Sequence, residues 1–371
     1  MAAATEERPA VIGRLAPSPT GALHVGNARS FLLAWLSARQ QGGQVLLRIE
    51  DIDSPRVKPW AVAETLRDFE WLGLDWDLTP EQSGPDAAEA SEAGEPRGLI
   101  HTDKGSIDER VVAGKGTPTG VVVQTNRLHR YAQVLQVLTS KRWLYPCTCT
   151  RSDIAAAASA PHEQGMVPLE GVIYPGTCRQ RSGKESTAAE CAWRFSMPDR
   201  HCVWHDGVYG RQEAQLAQQL GDFVVAKRDH TPAYQLAVVV DDHDFGITEV
   251  VRGADLIPST FRQLMLLEAL EWRAPKYFHV PLIVGSDGRR LAKRHGDTRL
   301  STLREQGVAP EALVGYLAWT LGMVPTRAPC HPWELVGKLN WAEIPREPTV
   351  FAVKEELPLL KRASRRRRSR G

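Results

Sequence analysis

Residues 14–30 read RLAPSPTGALHVGNARS. A short apolar run, 11–16, leads into this stretch. Apolar side chains at 28, 31, 32, 35 and 36 follow it, so the order predicted is buried strand, Pro-rich turn, then a helix over 27–40. Gly42-Gly43 ends that helix, and VLLRI at 45–49 supplies a second strand. A helix over 60–72 and the segment GLDWD come next. Strand, helix, strand, helix is the rhythm of a parallel α/β sheet. A strand that turns into a helix leaves backbone N–H groups and the positive helix end at the turn, which suits an anion. Gly21 and Gly26 let the backbone approach a ligand closely, and His24 can donate a hydrogen bond to a phosphate oxygen.

The chain has 371 residues, enough for one large or two to three ordinary domains, and 42% of them are hydrophobic. No run approaches the ~18 apolar residues of a membrane span. MAAATEERPA at the N-terminus lacks a basic segment followed by an apolar one. A cytoplasmic enzyme without a membrane partner is expected. The net charge of +2 hides an asymmetry: seven of the 46 basic residues lie in the last eleven, KRASRRRRSRG, leaving 39 against 44 acidic residues, a net of −5. Such an arm is expected to be disordered and can bind phosphate backbones without sequence preference; a merely solvated tail is the competing reading.

Farther along, 78–120 breaks the pattern with Pro, Gly, Ala and acidic residues, and reads as an insertion with a small hairpin near 109–123. A helix is expected over 127–140, strands at 238–240 and 246–251, a helix over 259–270, a strand over 277–284 and a helix over 310–322. A weakly patterned stretch then leads to the basic tail. The loop GRRLAKRHGD, 288–297, gathers Arg289, Arg290, Lys293 and Arg294. A mobile lysine there suits a transferring phosphate, while a plain basic surface loop is the alternative.

Six cysteines are too few and too scattered for a disulfide framework in a chain this long. Clustering of most of them between 147 and 202 suggests a metal. Cys147, Cys149 and Cys178 supply three thiolates of the four ligands zinc prefers. Tyr174, His162 and Cys191 are the candidates for the fourth; a phenol with a pKa of ~10 needs the metal to ionise it. Cys202, Cys330, His201 and His205 carry no ligand spacing and read as structural.

RLAPSPTGALHVGN (14–27) resembles the first motif of class I aminoacyl-tRNA synthetases of the glutamyl type, with HVGN in place of the H-I-G-H-like element. RLAKR (290–294) resembles the K-M-S-K-S-like element, and LLRIEDIDSPR (46–56) and VVDDHDFGITEVVRGADLIPST (239–260) are also similar to that family. The resemblance covers about 11–77, 121–182 and 222–300. Its glutamyl-queuosine tRNA(Asp) synthetase subgroup fits better than the full synthetases, because only 78 residues follow Lys293, too few for a helical anticodon-binding domain. That subgroup also carries C-x-C…Y-x3-C, here Cys147-Thr-Cys149 and Tyr174-Pro-Gly-Thr-Cys178.

The resemblance implies an α/β fold, a Rossmann-like doubly wound parallel sheet with an inserted zinc-bearing subdomain. With the composition of the two termini, the chain is expected to divide into a flexible 1–10, a first catalytic half 11–140, a zinc-bearing insertion 141–221, a second catalytic half 222–300, a short helical region 301–360 and the basic tail 361–371, which is not part of the family pattern. The resemblance implies that glutamate is activated by ATP with Mg2+ and passed to queuosine in tRNA(Asp), by a monomer holding one structural Zn2+. Glutamate would be bound by Arg14, Ala16, Ser18, Glu50, Tyr234 and Arg252, the two arginines as bidentate carboxylate partners and Glu50 as acceptor for the ammonium. A plain Glu50–Arg252 ion pair is the competing reading. ATP would be bound by His24, Gly26, Asn27 and Lys293, with His24 and Lys293 catalytic. The zinc ligands implied are Cys147, Cys149, Tyr174 and Cys178. The RLAKR loop departs from the family in Arg290 and Ala292, and 78–120 is not part of its pattern. The alternatives are a shortened glutamyl-tRNA synthetase charging the 3′ end of tRNA(Glu), an enzyme activating another carboxylate without tRNA, and an inactive RNA-binding scaffold.

Overall fold

The computed structural model describes residues 11–52, 57–77, 121–158, 167–179, 191–289, 291 and 298–368. Residues 1–10, the whole 78–120 segment with its proposed hairpin up to 120, His162, Arg290, Ala292, Lys293, Arg294 and 369–371 lie outside them.

Strand β1 (Ile12–Leu15) runs into helix α1 (Val25–Arg39), strand β2 (Gln44–Ile49) and helix α2 (Pro59–Leu72). Gly42 adopts φ +65°, and a Cβ on Gly43 would lie 2.4 Å from the Val11 carbonyl oxygen, so only this pair of glycines turns α1 tightly back into β2. Strand β3 (Val121–Val123) pairs in parallel with β2, and the rest of the hairpin expected near 109–123 lies outside the described residues. Helix α3 (Leu128–Ser140) follows. After it come β4 (Leu144–Cys147), α4 (Arg151–Ala158), β5 (Ala192–Phe195), the β6 (His201–Asp206) and β7 (Gly210–Gln215) hairpin, α5 (Leu216–Gln219) and β8 (Phe223–Ala226). Strands β4, β5 and β8 form an antiparallel sheet.

Helix α6 (Tyr234–Asp244) corrects the strand expected at 238–240. Residues 236–242 are all buried, so no polar face reveals the helical period. Strand β9 (Glu249–Gly253), helix α7 (Ile257–Leu270) and strand β10 (Lys276–Val280) follow, β10 pairing in parallel with β9. Pro281 has no N–H to donate, and the strand expected over 277–284 splits there into β10 and the short β11 (Ile283–Val284). The amide of Ile12 donates to Thr248 Oγ1, the Thr248 amide to the Ile12 carbonyl, and Arg14 to the Val251 carbonyl, so β1 and β9 lie side by side and run the same way. The parallel ladders β3-β2-β1 and β9-β10 thus meet at β1 and β9, with a reversal of winding between them, where doubly wound folds open a ligand crevice.

Two cores flank this sheet. Val45, Leu47 and Ile49 of β2 join α1 and α2 on one face; Leu46 joins α3, α6 and α7 on the other. Helices α8 (Leu300–Glu305) and α9 (Pro310–Thr320) complete the first core, and β12 (Thr349–Val350) returns to pair with β11. Helix α10 (Val353–Arg368) corrects the expectation of a disordered arm as far as Arg368. Ser364 is buried, accepts the Ala309 amide at 2.8 Å and donates to the Leu360 carbonyl at 2.8 Å, tying the helix to the start of α9. Glu355 and Glu356 in the first turn complement the helix dipole.

Candidate active site

A cavity of about 820 Å³ opens at the winding reversal. It is lined by Arg14, Ala16, Ser18, Glu50, Tyr234 and Arg252, and also by His24, Gly26 and Asn27. Residues singled out for two different ligands, and separated by up to 238 positions, therefore share one wall. Leu291, the only described residue of the RLAKR loop, lines the same cavity. On the loop's far side, Arg299 bridges to His24 and the Leu300 amide donates to the Leu23 carbonyl. Lys293 itself lies outside the described residues.

His24 begins α1. Its Nδ1 accepts the amides of Gly26 and Asn27 at 3.1 and 3.3 Å, while the Asn27 side-chain oxygen accepts the His24 amide at 3.1 Å. This reciprocal cap explains why the helix starts at Val25, two residues before the position expected. It also amends the reading of the turn as an open anion site, since these two helix amides are already paired. A Cβ at Gly26 would sit 3.0 Å from the imidazole, so glycine there makes room for the ring as well as for a ligand.

Arg14 is buried, donates from Nη1 to the Val251 carbonyl at 3.1 Å, and holds Nε 3.6 Å from Asp242. Burial lowers its pKa, with Asp242 opposing. Arg252 donates from Nε to His279 Nε2 at 3.1 Å and from Nη2 to Thr260 Oγ1 at 2.7 Å. For Arg252 the Nη1–Nη2 edge is what remains for a bidentate ligand, whereas on Arg14 Nη1 is engaged by the Val251 carbonyl and Nη2 is the end left for a ligand. Glu50 pairs with Arg48 at 3.0 Å, which replaces the Glu50–Arg252 pair considered from sequence. Its second oxygen lies 3.5 Å from Ser18 Oγ. Burial raises the Glu50 pKa, opposed by Arg48 and Arg14. Tyr234 is 38% exposed, at the first turn of α6.

Sequence reasoning assigned no role to Arg48, Asp241, Asp242, His279 or Asp206. Arg48 is wholly buried and binds Asp242 at 2.6 Å as well as Glu50. Asp241 accepts Gln124, Arg127 and Tyr131, and Asp244 accepts Arg127 and Arg130, which pins α6 beneath the cavity. The signal was present in RIED and VVVDDHD, where unbroken apolar runs carry charges that must find partners.

The Sγ atoms of Cys147, Cys149 and Cys178 lie within 4.8 Å of one another. Tyr174 Oη is 3.5 Å from Cys147 Sγ and 3.6 Å from Cys149 Sγ, and Cys149 Sγ is 3.5 Å from Cys178 Sγ. Zn–S bonds of about 2.3 Å and a Zn–O bond of about 2.0 Å in a tetrahedron set sulfurs about 3.8 Å apart and oxygen about 3.5 Å from each sulfur. The four donors thus fit a tetrahedral ion. Burial opposes ionisation of Cys178, but hydrogen bonds from the Tyr174 hydroxyl and the Thr148 amide hold its thiol down at about 6. Arg194 donates to Cys147 Sγ at 3.2 Å and stacks over the Tyr174 ring at 3.9 Å. Cys191 is not part of the cluster.

Among the described residues no helix is long and apolar enough to cross a membrane. Residues 10–329 match the family described as tRNA synthetases class I (E and Q), catalytic domain. A glutamyl-Q tRNA(Asp) synthetase of Rhodopirellula baltica is 44% identical over 91% of this chain and 95% of its own length. A glutamate–tRNA ligase of Desulforamulus reducens is 37% identical over 84% of this chain, but over 58% of its own length. The crystal structure of the glutamate-tRNA synthetase of Elizabethkingia anophelis superposes with a TM-score of 0.71 at 25% identity, covering 95% of this chain and 70% of that one.

Proposed function

This chain belongs to the class I tRNA synthetases of the E and Q type, and from that membership we propose that it activates glutamate with ATP and transfers it to queuosine of tRNA(Asp). The reading is favoured over a shortened 3′-charging enzyme because the chain spans 95% of a relative named for the queuosine reaction and 58% of one named for tRNA charging. The observation that carries it is the single cavity lined by Arg14, Glu50, Tyr234, Arg252 and His24. A dicarboxylic amino acid asks for cations for its carboxylates and an anion for its ammonium. Arg14, through Nη2, and the open edge of Arg252 supply the first, and Glu50, kept close by Arg48, supplies the second.

A glutamate carboxylate oxygen attacks the α-phosphorus of ATP. A mixed anhydride forms, the bond to the β-phosphate breaks, and pyrophosphate leaves. His24 donates to the phosphate oxygens as charge builds on them, and Lys293, two positions after the cavity-lining Leu291, adds a cation. Mg2+, when bound with ATP, screens the phosphate charge. A queuosine hydroxyl then attacks the activated carbonyl and AMP departs. Cys147, Cys149, Tyr174 and Cys178 would hold Zn2+ in a structural role, none of them lining the cavity.

The test is to incubate the protein with ATP, labelled glutamate and either queuosine-containing tRNA(Asp) or tRNA(Glu), then digest with nuclease. Label on the queuosine nucleoside is expected. Label only on the 3′-terminal nucleoside of tRNA(Glu) would overturn the reading.

A further inference from the structure

Arg252 faces the cavity, yet the Nε–Nη2 edge of its guanidinium is held by two neutral acceptors, His279 Nε2 and Thr260 Oγ1. His279 is fully buried. On its other side Nδ1 lies 2.7 Å from Asp206 Oδ2, and its own amide donates to the same oxygen at 3.0 Å. The second Asp206 oxygen accepts the amides of Val208 and Tyr209 at 2.9 and 2.8 Å. The ring therefore has one consistent proton arrangement: Nδ1–H donates to the carboxylate, and the Nε2 lone pair faces Arg252. Trp204 and Tyr277, at ring distances of 5.7 and 6.3 Å, pack around it.

We propose that Asp206 and His279 are positioning residues for Arg252, turning its Nη1–Nη2 edge into the cavity and thereby setting the affinity for a substrate carboxylate. The inference rests on the reading of Arg252 as a glutamate ligand. A carboxylate placed directly on Arg252 would orient it equally well, but would neutralise the cation and compete with the substrate. An imidazole set between them passes on the orientation while its neutrality leaves the guanidinium charge for the ligand. Asp206 stands at the end of β6, 73 positions before His279. The site's geometry thus depends on the β6–β7 hairpin, outside the parallel sheet.

The test is glutamate-dependent ATP–pyrophosphate exchange by the full chain, with separate KM values for glutamate and ATP. His279→Leu is expected to raise the glutamate KM ten- to a hundredfold and leave the ATP KM within twofold. His279→Gln, whose amide oxygen can take the place of Nε2, is expected to recover most of that loss. An unchanged glutamate KM, an equal rise in both KM values, or equal impairment of the Leu and Gln variants overturns the proposal. Asp206→Asn, which preserves shape, serves if His279→Leu fails to fold: a threefold or larger rise in glutamate KM alone supports the proposal, and no change refutes it. Arg252→Lys runs alongside. If it leaves the glutamate KM unchanged, the assignment of Arg252 to glutamate fails; if it raises that KM while the His279 variants do not, only the positioning role fails.

Discussion

Replacing Arg48 by methionine tests how the floor of the cavity is held together. Four cations, Arg14, Arg48, Arg127 and Arg130, face four anions, Glu50, Asp241, Asp242 and Asp244, so the cluster is balanced. Arg48 is at its centre, with Nη1 2.6 Å from Asp242, Nη2 3.0 Å from Glu50 and no exposure to solvent. Methionine fills much of the same volume without charge and takes the nearest cation from two buried carboxylates, leaving Asp242 only the longer contact with Arg14. Breaking a buried pair from one side costs about 3–5 kcal/mol, and two partners place Arg48→Met near the upper end. With a urea slope of about 3 kcal/mol/M, the unfolding midpoint should fall by more than ~1 M. Adding Asp242→Asn restores the balance of charge, so the double variant should be about 1–3 kcal/mol more stable than the sum of the single costs implies. A single-variant cost below about 1 kcal/mol, or strict additivity, would refute the view of these residues as one interdependent network.

Three further outcomes are expected. Asp68 is buried on α2, and burial followed by the charge of Glu64 raises its pKa to about 7, with Arg304 opposing. The folded state then keeps a proton the unfolded chain gives up between about pH 4 and 7, so this group's contribution is full below the unfolded pKa and is lost as pH rises through 7. Asp68→Asn should gain stability over the natural chain across that window, by up to about 4 kcal/mol, and level off above it; a pH-independent difference in melting would contradict this. Cys147→Ser should reduce bound zinc from one ion per chain to none by elemental analysis and loosen the β4–β5–β8 sheet, whereas unchanged metal content would remove Cys147 from the ligand set. Lys293→Ala should abolish glutamate-dependent pyrophosphate exchange while the melting temperature holds; near-normal exchange would deny the lysine its role.

The parts of the fold that were legible in the sequence are those whose surroundings are uneven. Helix α3 has a polar face, α1 is bounded by a Pro-rich turn and the Gly42-Gly43 pair although most of it is buried, and β1 and β2 are short apolar runs between turn residues, so periodicity locates α3 and punctuation the others. Helix α6 was misread because burial on every side erases the period. Helix α10 was misread because composition speaks of solvation, while Leu360 and Ser364 anchor it through partners distant in sequence. The cavity wall was legible through motif resemblance, and the residues behind it were not. His279 and Asp206 belong to no local pattern; their pairing exists only once β6 and β10 are neighbours. In HDG at 205–207 the histidine draws the eye, yet the aspartate beside it is the residue that reaches the site.

His24 shows how the local rule and the chemistry depend on one another. Because Nδ1 accepts two helix amides, a neutral ring carries its proton on Nε2, so the cap itself selects the tautomer that can donate to phosphate. The amides that begin α1 are consumed in doing so, and the anion affinity of the turn then rests on the imidazole more than on the helix end. His24→Asn separates the two roles. Asparagine is among the best N-caps and can accept the same amides, so α1 and the melting temperature should be retained to within about 1 kcal/mol. It cannot present a ring N–H at the position of Nε2, so pyrophosphate exchange should fall by about 10²–10³, as when a single donor is removed from a site of developing charge. Exchange within a few-fold of the natural chain would mean that the helix amides bind the phosphates after all, with the imidazole displaced from its cap when ATP arrives.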